Sequence, residues 1–433
     1  MIDIRRIGVR PVPEHRRLEH GFWNAAVPTR CVVPLHQHAG SAIHPTVAVG
    51  DTVREGMVIA DSDNRLSVPI HAPIPGRVAT IGTTRLSDGT MSPAIGITLA
   101  GEFDRLGRRP EPVAWREKTS AEILDAIRAG GVVCGPRSPV PAHLYLRPRR
   151  GRKEVVLLLD VAEMEPYMTA DLELLVSATD EVMTGLAIAA RALGTEDVRT
   201  VVGRGFARGR RAIRRHGDGG SISIVSVPHR YPVNDPVLLK RRLFAMERRA
   251  EEHTELVVIS PSTAYAVHEA VVYGKPQIER VVAVGGGAVR RPAHVRVRIG
   301  TAIAEVLEEC GGLTEAPSQI IAGGTITGRV VANVNMPVVK NTAAILAVLA
   351  DEVHTGREEP CVGCGACTRA CPVALDPILL HDLVLSGRVG EARANGLDQC
   401  LECGLCAHVC PSRIPLVESL RAGKTGSSGR SSA

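Results

Sequence analysis

Eight cysteines near the C-terminal end constrain this chain more than any other feature. They form two runs, Cys361-Val-Gly-Cys364-Gly-Ala-Cys367-Thr-Arg-Ala-Cys371-Pro372 and Cys400-Leu-Glu-Cys403-Gly-Leu-Cys406-Ala-His-Val-Cys410-Pro411. Each reads C-x2-C-x2-C-x3-C-P, the spacing that ligates [4Fe–4S] clusters. Three thiolates on one tight loop can hold three irons of a cubane, and the fourth cysteine of each run is carried across to the other cluster. The expected sets are Cys361, Cys364, Cys367 and Cys410 for one cluster, and Cys400, Cys403, Cys406 and Cys371 for the second. Structural zinc, the alternative, favours paired C-x2-C knuckles over four cysteines followed by proline. Everything upstream is then machinery that brings electrons to these clusters or takes them away.

The chain has 433 residues, enough for two to four domains with cores of their own. Eight of its 11 cysteines sit in the two runs, without the scatter of a disulfide framework, which points to a reducing compartment. Met1 opens no signal peptide, and no apolar run approaches the roughly 18–20 residues of a membrane span, so the expectation is a soluble or peripheral protein.

Residues 1–30, interrupted by Pro11, Pro13 and Pro28, read as an irregular arm. Residues 31–101 carry short β-branched runs between turn residues, such as Met57-Val-Ile-Ala and Ile95-Gly-Ile-Thr-Leu. The phrases Gly50-Asp-Thr-Val-Arg-Glu-Gly56 and Ile70-His-Ala-Pro73-Ile-Pro-Gly76 resemble the flattened barrel of lipoyl and biotinyl carrier domains. The acylated lysine of those carriers aligns with Arg65, whose guanidinium cannot form the amide. Cys31, His36 and His38 fit no standard metal spacing and read as loop packing.

Residues 115–275 alternate strand and helix patterns. Apolar strand runs at 154–160, 199–202, 222–227 and 256–259 alternate with helical patterns at 171–194, 207–215, 236–251 and 263–273, after a first helix at 120–129. This indicates an α/β domain with a mostly parallel sheet. Residues 278–349 combine strands with a helix stopped by Gly311-Gly312 and resemble the ubiquitin-like SLBB module. The cysteine runs lie in an α-helical segment, 353–421, with a helical spacer at 376–394. Residues 422–433, rich in Gly and Ser, read as a disordered tail.

The order of these parts, barrel-sandwich, α/β domain, SLBB module and twin-cluster segment, resembles the RnfC family, the C subunits of the Rnf-type ion-translocating electron transport complex. Specific phrases include Pro34-Leu-His-Gln-His38, Glu163-Met-Glu165-Pro-Tyr167-Met-Thr169-Ala-Asp171, Arg298-Ile-Gly300-Thr and both cysteine runs. The resemblance implies an oxidoreductase subunit on the cytoplasmic side of the cell membrane, peripheral to membrane subunits that translocate ions. It implies electron transfer through the two clusters, NADH as soluble donor, FMN on the α/β domain and ferredoxin as a redox partner. Glu163, Glu165 and Tyr167 match the acidic segment that contacts nucleotide or flavin. Their alternative role is an acidic helix cap.

Three departures bear on the nucleotide site. Cys134, Pro136 and Arg137 stand where the family has a glycine run, and proline removes an amide donor. Tyr231-Pro232-Val-Asn-Asp-Pro236 lacks the family's glutamine, paired glycines and glutamate. Asp160 replaces an asparagine. An electron wire or assembly adaptor without NADH or FMN binding is therefore the competing reading. Two arginine-rich stretches, Arg204 to Arg215 and Arg147 to Lys153, read as solvated surface or as a dock for an acidic redox protein or anionic lipid. With aromatics at 3% and no recognition motif, nucleic acid is not the expected partner.

Overall fold

The N-terminal quarter is built on strands, most of them short, because its β-branched runs are cut every few residues by glycine and proline. The computed structural model describes residues 18, 21–40, 43–87, 89–103, 107–109, 111–135, 139–149, 154–162, 164–204, 206–216, 222–247, 254–353 and 356–425. After β1 (Phe22–Asn24) come β2 (Arg30–Pro34), β3 (His44–Pro45), β4 (Thr52–Val53), β5 (Val58–Asp61), β6 (Ile70–His71), β7 (Gly76–Arg85) and β8 (Met91–Leu99). One sheet runs β2-β8-β7-β4 and a second β3-β5-β6, closing over Ile59, Ile70, Ile74, Ile95 and Ile97. Gly76 has no substitute there, since a Cβ would stand 2.0 Å from the Thr98 carbonyl oxygen.

The α/β domain follows with α1 (Ser120–Ala129), β9 (Val133–Cys134), β10 (Val140–Pro141), α2 (Ala142–Tyr145), β11 (Glu154–Val161), α3 (Ala170–Ser177), α4 (Thr179–Leu193), β12 (Val198–Gly203), α5 (Ala207–Arg215), β13 (Ser223–Val227), α6 (Pro236–Glu247), β14 (Thr254–Ile259) and α7 (Pro261–Tyr273). The sheet order is β13-β12-β11-β14, every neighbour parallel. Strand β11 is apolar on both faces because both are covered. Leu157, Leu159 and Val161 join the core of α3, α4 and α7, whereas Val156 and Leu158 face α6 and the loop around Cys403 and Leu405. The helical pattern at 171–194 divides at Ala178 (φ −137°), where no Gly or Pro marks the break. Tertiary contact explains the second helix's path. A Cβ on Gly185 would lie 1.8 Å from the Ala264 carbonyl oxygen, so α4 and α7 touch backbone to backbone.

The next unit holds β15 (Glu279–Gly285), β16 (Ala293–Arg298), α8 (Ile303–Glu309), β17 (Gln319–Ala322), β18 (Arg329–Val330) and β19 (Ala344–Val348). Its sheet runs β1-β16-β15-β19-β17-β18. The presence of β1 corrects the reading of residues 22–24 as irregular: Phe22 pairs with His294 and Asn24 with Arg296. Arg296 lies over Phe22 at 4.8 Å and Arg291 over Trp23 at 5.0 Å, so cation–π contacts hold the strand as well. The last unit comprises α9 (Ala366–Ala370), α10 (Pro377–Leu385), α11 (Val389–Ala394), α12 (Leu405–His408) and α13 (Leu416–Thr425). Residues 422–425, expected in a disordered tail, are the last turn of α13. Gly423 is buried there, where a Cβ would come within 2.5 Å of Val384. No helix among the described residues is long and apolar enough to cross a membrane.

Candidate iron–sulfur centre and nucleotide cleft

The two cysteine runs are folded as near copies, offset by 39 positions as the sequence shows. Left-handed backbone recurs at matching places: Gly363 (φ 67°) and Glu402 (φ 52°), Gly365 (φ 65°) and Gly404 (φ 76°), Ala374 (φ 58°) and Arg413 (φ 54°). Each such residue reverses the chain within a few atoms, which lets closely spaced cysteines converge. Only some of the six are glycine, so the others carry backbone strain that the surrounding packing must offset.

Cys371, Cys400, Cys403 and Cys406 line one apolar hollow, together with residues such as Leu375, Leu405 and Leu420. Burial raises the Cys406 thiol to about 12, and the neighbouring Cys403, Cys400 and Cys371 add to the shift; burial likewise raises Cys400. Four thiolates cannot share so dry a space without cations between them, which suits a cluster of irons. Backbone amides point at sulfur: Leu375 N–H to Cys371 Sγ at 3.3 Å and Glu402 N–H to Cys400 Sγ at 3.3 Å. In the other run, Cys361 and Cys364 are exposed, Cys367 is half-buried, and Cys410 is buried. Cys367 and Cys410 meet in one apolar cluster with Cys406, Ile414 and Leu416.

The second run is fastened to the α/β domain. Cys403 and Leu405 share a core with Leu158, Met164 and Tyr231, and the Tyr231 hydroxyl donates to the Cys403 carbonyl at 2.6 Å. Gly404 sits under Ile326, whose carbonyl oxygen would be 2.7 Å from a Cβ. Lys424 Nζ donates to the Cys400 carbonyl at 2.6 Å, and Glu402 takes Lys424 and Arg421, each at 3.2 Å.

The cleft at the C-terminal end of β11 uses its expected ligands for other ends. Glu163 lies outside the described residues. The Glu165 carboxylate accepts the amides of Ile326 (2.5 Å) and Thr327 (2.7 Å) and the Thr327 hydroxyl (2.6 Å). Tyr167 has φ 64°, is buried, and donates its hydroxyl to Glu352 at 2.6 Å. Asp160 accepts from the Ala162 amide and from Asn234 at 3.2 Å, so two of the three departures from the family pattern bond to each other. Burial pushes the Asp160 carboxyl up to about 6, against those two hydrogen bonds.

The loop that should approach a phosphate is drawn into a β9–β10 pairing, Cys134 opposite Val140, while Pro136 and Arg137 lie outside the described residues. A Cβ on Gly131 would meet the Pro69 carbonyl oxygen at 2.6 Å and Lys340 Nζ at 2.9 Å, so that glycine makes room for protein and not for ligand. At Glu165, Tyr167 and Gly131 the groups expected to hold a flavin are bonded to or packed against protein instead.

Four family models match in order: the RnfC barrel sandwich hybrid domain over residues 6–102, the Nuo51 FMN-binding domain over 127–269, the SLBB domain over 281–330 and the 4Fe-4S dicluster domain over 356–411. The C subunit of the ion-translocating oxidoreductase complex of Rhodobacter capsulatus is 36% identical over 427 residues, 97% of this chain and 82% of that protein. This chain belongs to the RnfC family. A second member, the C subunit of the proton-translocating ferredoxin:NAD(+) oxidoreductase complex of Clostridium ljungdahlii, is 32% identical over 83% of this chain and 79% of its own length. The corresponding subunit of the Na(+)-translocating complex of Acetobacterium woodii is 28% identical, covering 92% of this chain and 90% of its own.

Other sequence-derived candidates on this RnfC chain take ordinary places. Arg65 is exposed and pairs with Asp125 at 2.5 Å. Cys31 is buried in the barrel core, and His38 Nε2 accepts from the Val68 amide. Arg208 is bound to Glu173 at 2.9 Å, whereas Arg204, Arg211, Arg214 and Arg215 are exposed on or beside α5. Arg149 pairs with Glu255 at 2.7 Å. Sequence reasoning missed Tyr231, Lys424 and Lys340. Nothing local marks them, because each acts on a partner more than 20 positions away.

Proposed function

We propose that this chain is the electron-transfer RnfC member of a membrane-bound Rnf-type oxidoreductase, carrying electrons through two [4Fe–4S] clusters between a soluble donor and the other subunits. The clusters supply one-electron carriers; the protein supplies thiolates, exclusion of water and fixed spacing. The single observation behind this reading is the hollow that gathers Cys371 with Cys400, Cys403 and Cys406. It supports cross-ligation: Cys371 closes the second cluster, and Cys410 completes the set of Cys361, Cys364 and Cys367. Cys403 is buried against the α/β domain and Cys406 beside Cys410 and Leu416, whereas the Cys361–Cys364 loop is exposed. Electrons therefore pass between an inner carrier and one at the surface, where a partner can approach. We place the protein peripherally on the cytoplasmic side of the membrane, against membrane subunits of the complex, with an acidic carrier such as ferredoxin as a redox partner.

A second reading is favoured by Glu165, whose carboxylate is bound to the SLBB module, and by Tyr167, bound to Glu352 just beyond that module. In it the α/β domain is a docking platform, and the chain is an electron wire without NADH or FMN binding. Anaerobic purification should give brown protein with about eight irons per chain; a colourless zinc protein refutes both readings. Calorimetry with FMN and NADH on the cluster-loaded protein then separates them. Binding at about micromolar Kd selects the NADH-oxidising role, and no binding to about millimolar selects the wire.

A further inference from the structure

Away from the cysteines and the cleft, α7, β15, β16 and the turn at 275–277 frame a depression open on one side. Its charges are unusual. Lys275 is almost fully buried and reaches Glu269 at 3.1 Å and Glu279 at 2.5 Å. Glu269 is also clasped by Arg108 at 2.8 Å, and Glu279 by Arg298 at 3.3 Å and Arg296 at 3.8 Å. Each carboxylate is thus shared among several cations. Arg298 has its own second partner in Glu55 at 2.6 Å.

Arg280 stands apart. It lines the space, and among the described residues no carboxylate lies within ion-pair distance of it. One guanidinium nitrogen donates to the Lys340 carbonyl at 2.6 Å, while its buried Nε has no hydrogen-bond partner. Asp171 acts on it only at longer range, and Asp171 Oδ1 is taken by the Ser262 amide and hydroxyl. Counted over this network, Arg108, Lys275, Arg280, Arg296 and Arg298 oppose Glu55, Glu269, Glu279 and Asp171, which leaves one positive charge over. A buried, incompletely bonded guanidinium is costly unless an anion completes it. The remaining wall is apolar or flat: Leu174, Ala266, Pro276, Val281 and the Tyr265 ring, which Arg296 overlies at 5.6 Å.

We propose that this space is a binding site for a small organic anion, with a carboxylate or phosphate head on Arg280 and a flat apolar body against Tyr265. The site is bonded to the loop ahead of the cleft from both sides. Gln277, which also lines it, accepts the Val133 amide at 3.0 Å, and Lys340 links Arg280 to Gly131 through its own carbonyl and Nζ.

The test is calorimetry on full-length, cluster-loaded protein with benzoate, phenyl phosphate and inorganic phosphate as probes. The expected result is saturable one-to-one binding of benzoate or phenyl phosphate, at least about tenfold tighter than inorganic phosphate. The better of the two aryl probes identifies the head group. Arg280→Gln should weaken that probe at least about tenfold, and Ala266→Leu, which fills the space from α7, should do the same, with the cluster spectra of both unchanged. If Arg280→Gln fails to fold, Ala266→Leu carries the test alone. Absence of saturable aryl-probe binding up to about 10 mM overturns the proposal. So does equal affinity for inorganic phosphate, or an affinity that Ala266→Leu leaves unchanged.

Discussion

Replacing Glu165 by alanine tests whether the acidic segment is a clamp or a ligand site. Its carboxylate receives three hydrogen bonds from Ile326 and Thr327, all between 2.5 and 2.7 Å. Hydrogen bonds to a charged group contribute about 1.5–3 kcal/mol each, so three set a ceiling of about 5–9 kcal/mol. The three share one acceptor group at a half-buried position where water can replace part of the loss. A net cost of about 2–4 kcal/mol is therefore expected for Glu165→Ala. The chain has several units, so a single melting temperature is a poor readout. Hydrogen exchange at the Ile326 and Thr327 amides reads the clamp directly, and protection there should fall about 30- to 1,000-fold. Ile326 also rests on Gly404, so the magnetic signal of the second cluster should broaden in the same variant. Unchanged exchange at both amides, with loss of FMN or NADH binding instead, would refute the clamp and return Glu165 to the ligand role.

Cys371→Ser should alter the electron paramagnetic resonance of the cluster built on Cys400, Cys403 and Cys406; a change confined to the other cluster contradicts cross-ligation. Burial lowers the Lys340 amine to about 7 from the ordinary 10.5, and its Nζ donates to the Gly131 carbonyl at 2.6 Å. Below pH 7 the amine is protonated in folded and unfolded chains alike, and the cost of burying its charge is fully present. From pH 7 to 10.5 only the unfolded chain holds that proton, so stability should rise by up to about 1.4 kcal/mol per pH unit. Urea midpoints across this range should show the rise, and Lys340→Met should flatten it; an equal slope in the variant removes Lys340 as the cause. Lys424→Met takes a cation from beside Cys400 and should lower the potential of the second cluster by on the order of tens of millivolts in a redox titration. A zero or upward shift counts against this charge effect.

Sequence alone determined what rests on short-range rules. The eight cysteines announced their chemistry because a cubane can be reached only from particular spacings. The alternation of β11, α4, β12 and α5 was legible because strand and helix periods differ and each run is long enough to express one. Helix caps are equally local: Thr119 and Glu122 close a capping box on α1, and Asp376 caps α10 ahead of Pro377. The family followed from the order of the units.

Tertiary structure decided whatever depends on a distant partner. Strand β1 is three residues long and finds its pairing about 270 positions downstream, so no local period could reveal it. The break at Ala178 follows from where α4 must pass α7, and Gly423 closes a helix in place of loosening a tail. Whether Glu165 and Tyr167 faced a nucleotide or another domain could not be read from their identity. A carboxylate and a phenol serve either purpose, and the folded chain brought Thr327 and Glu352 to them. The same holds for Arg280: a sequence cannot show that a guanidinium is buried without a carboxylate, because its surroundings come from segments that only folding brings together.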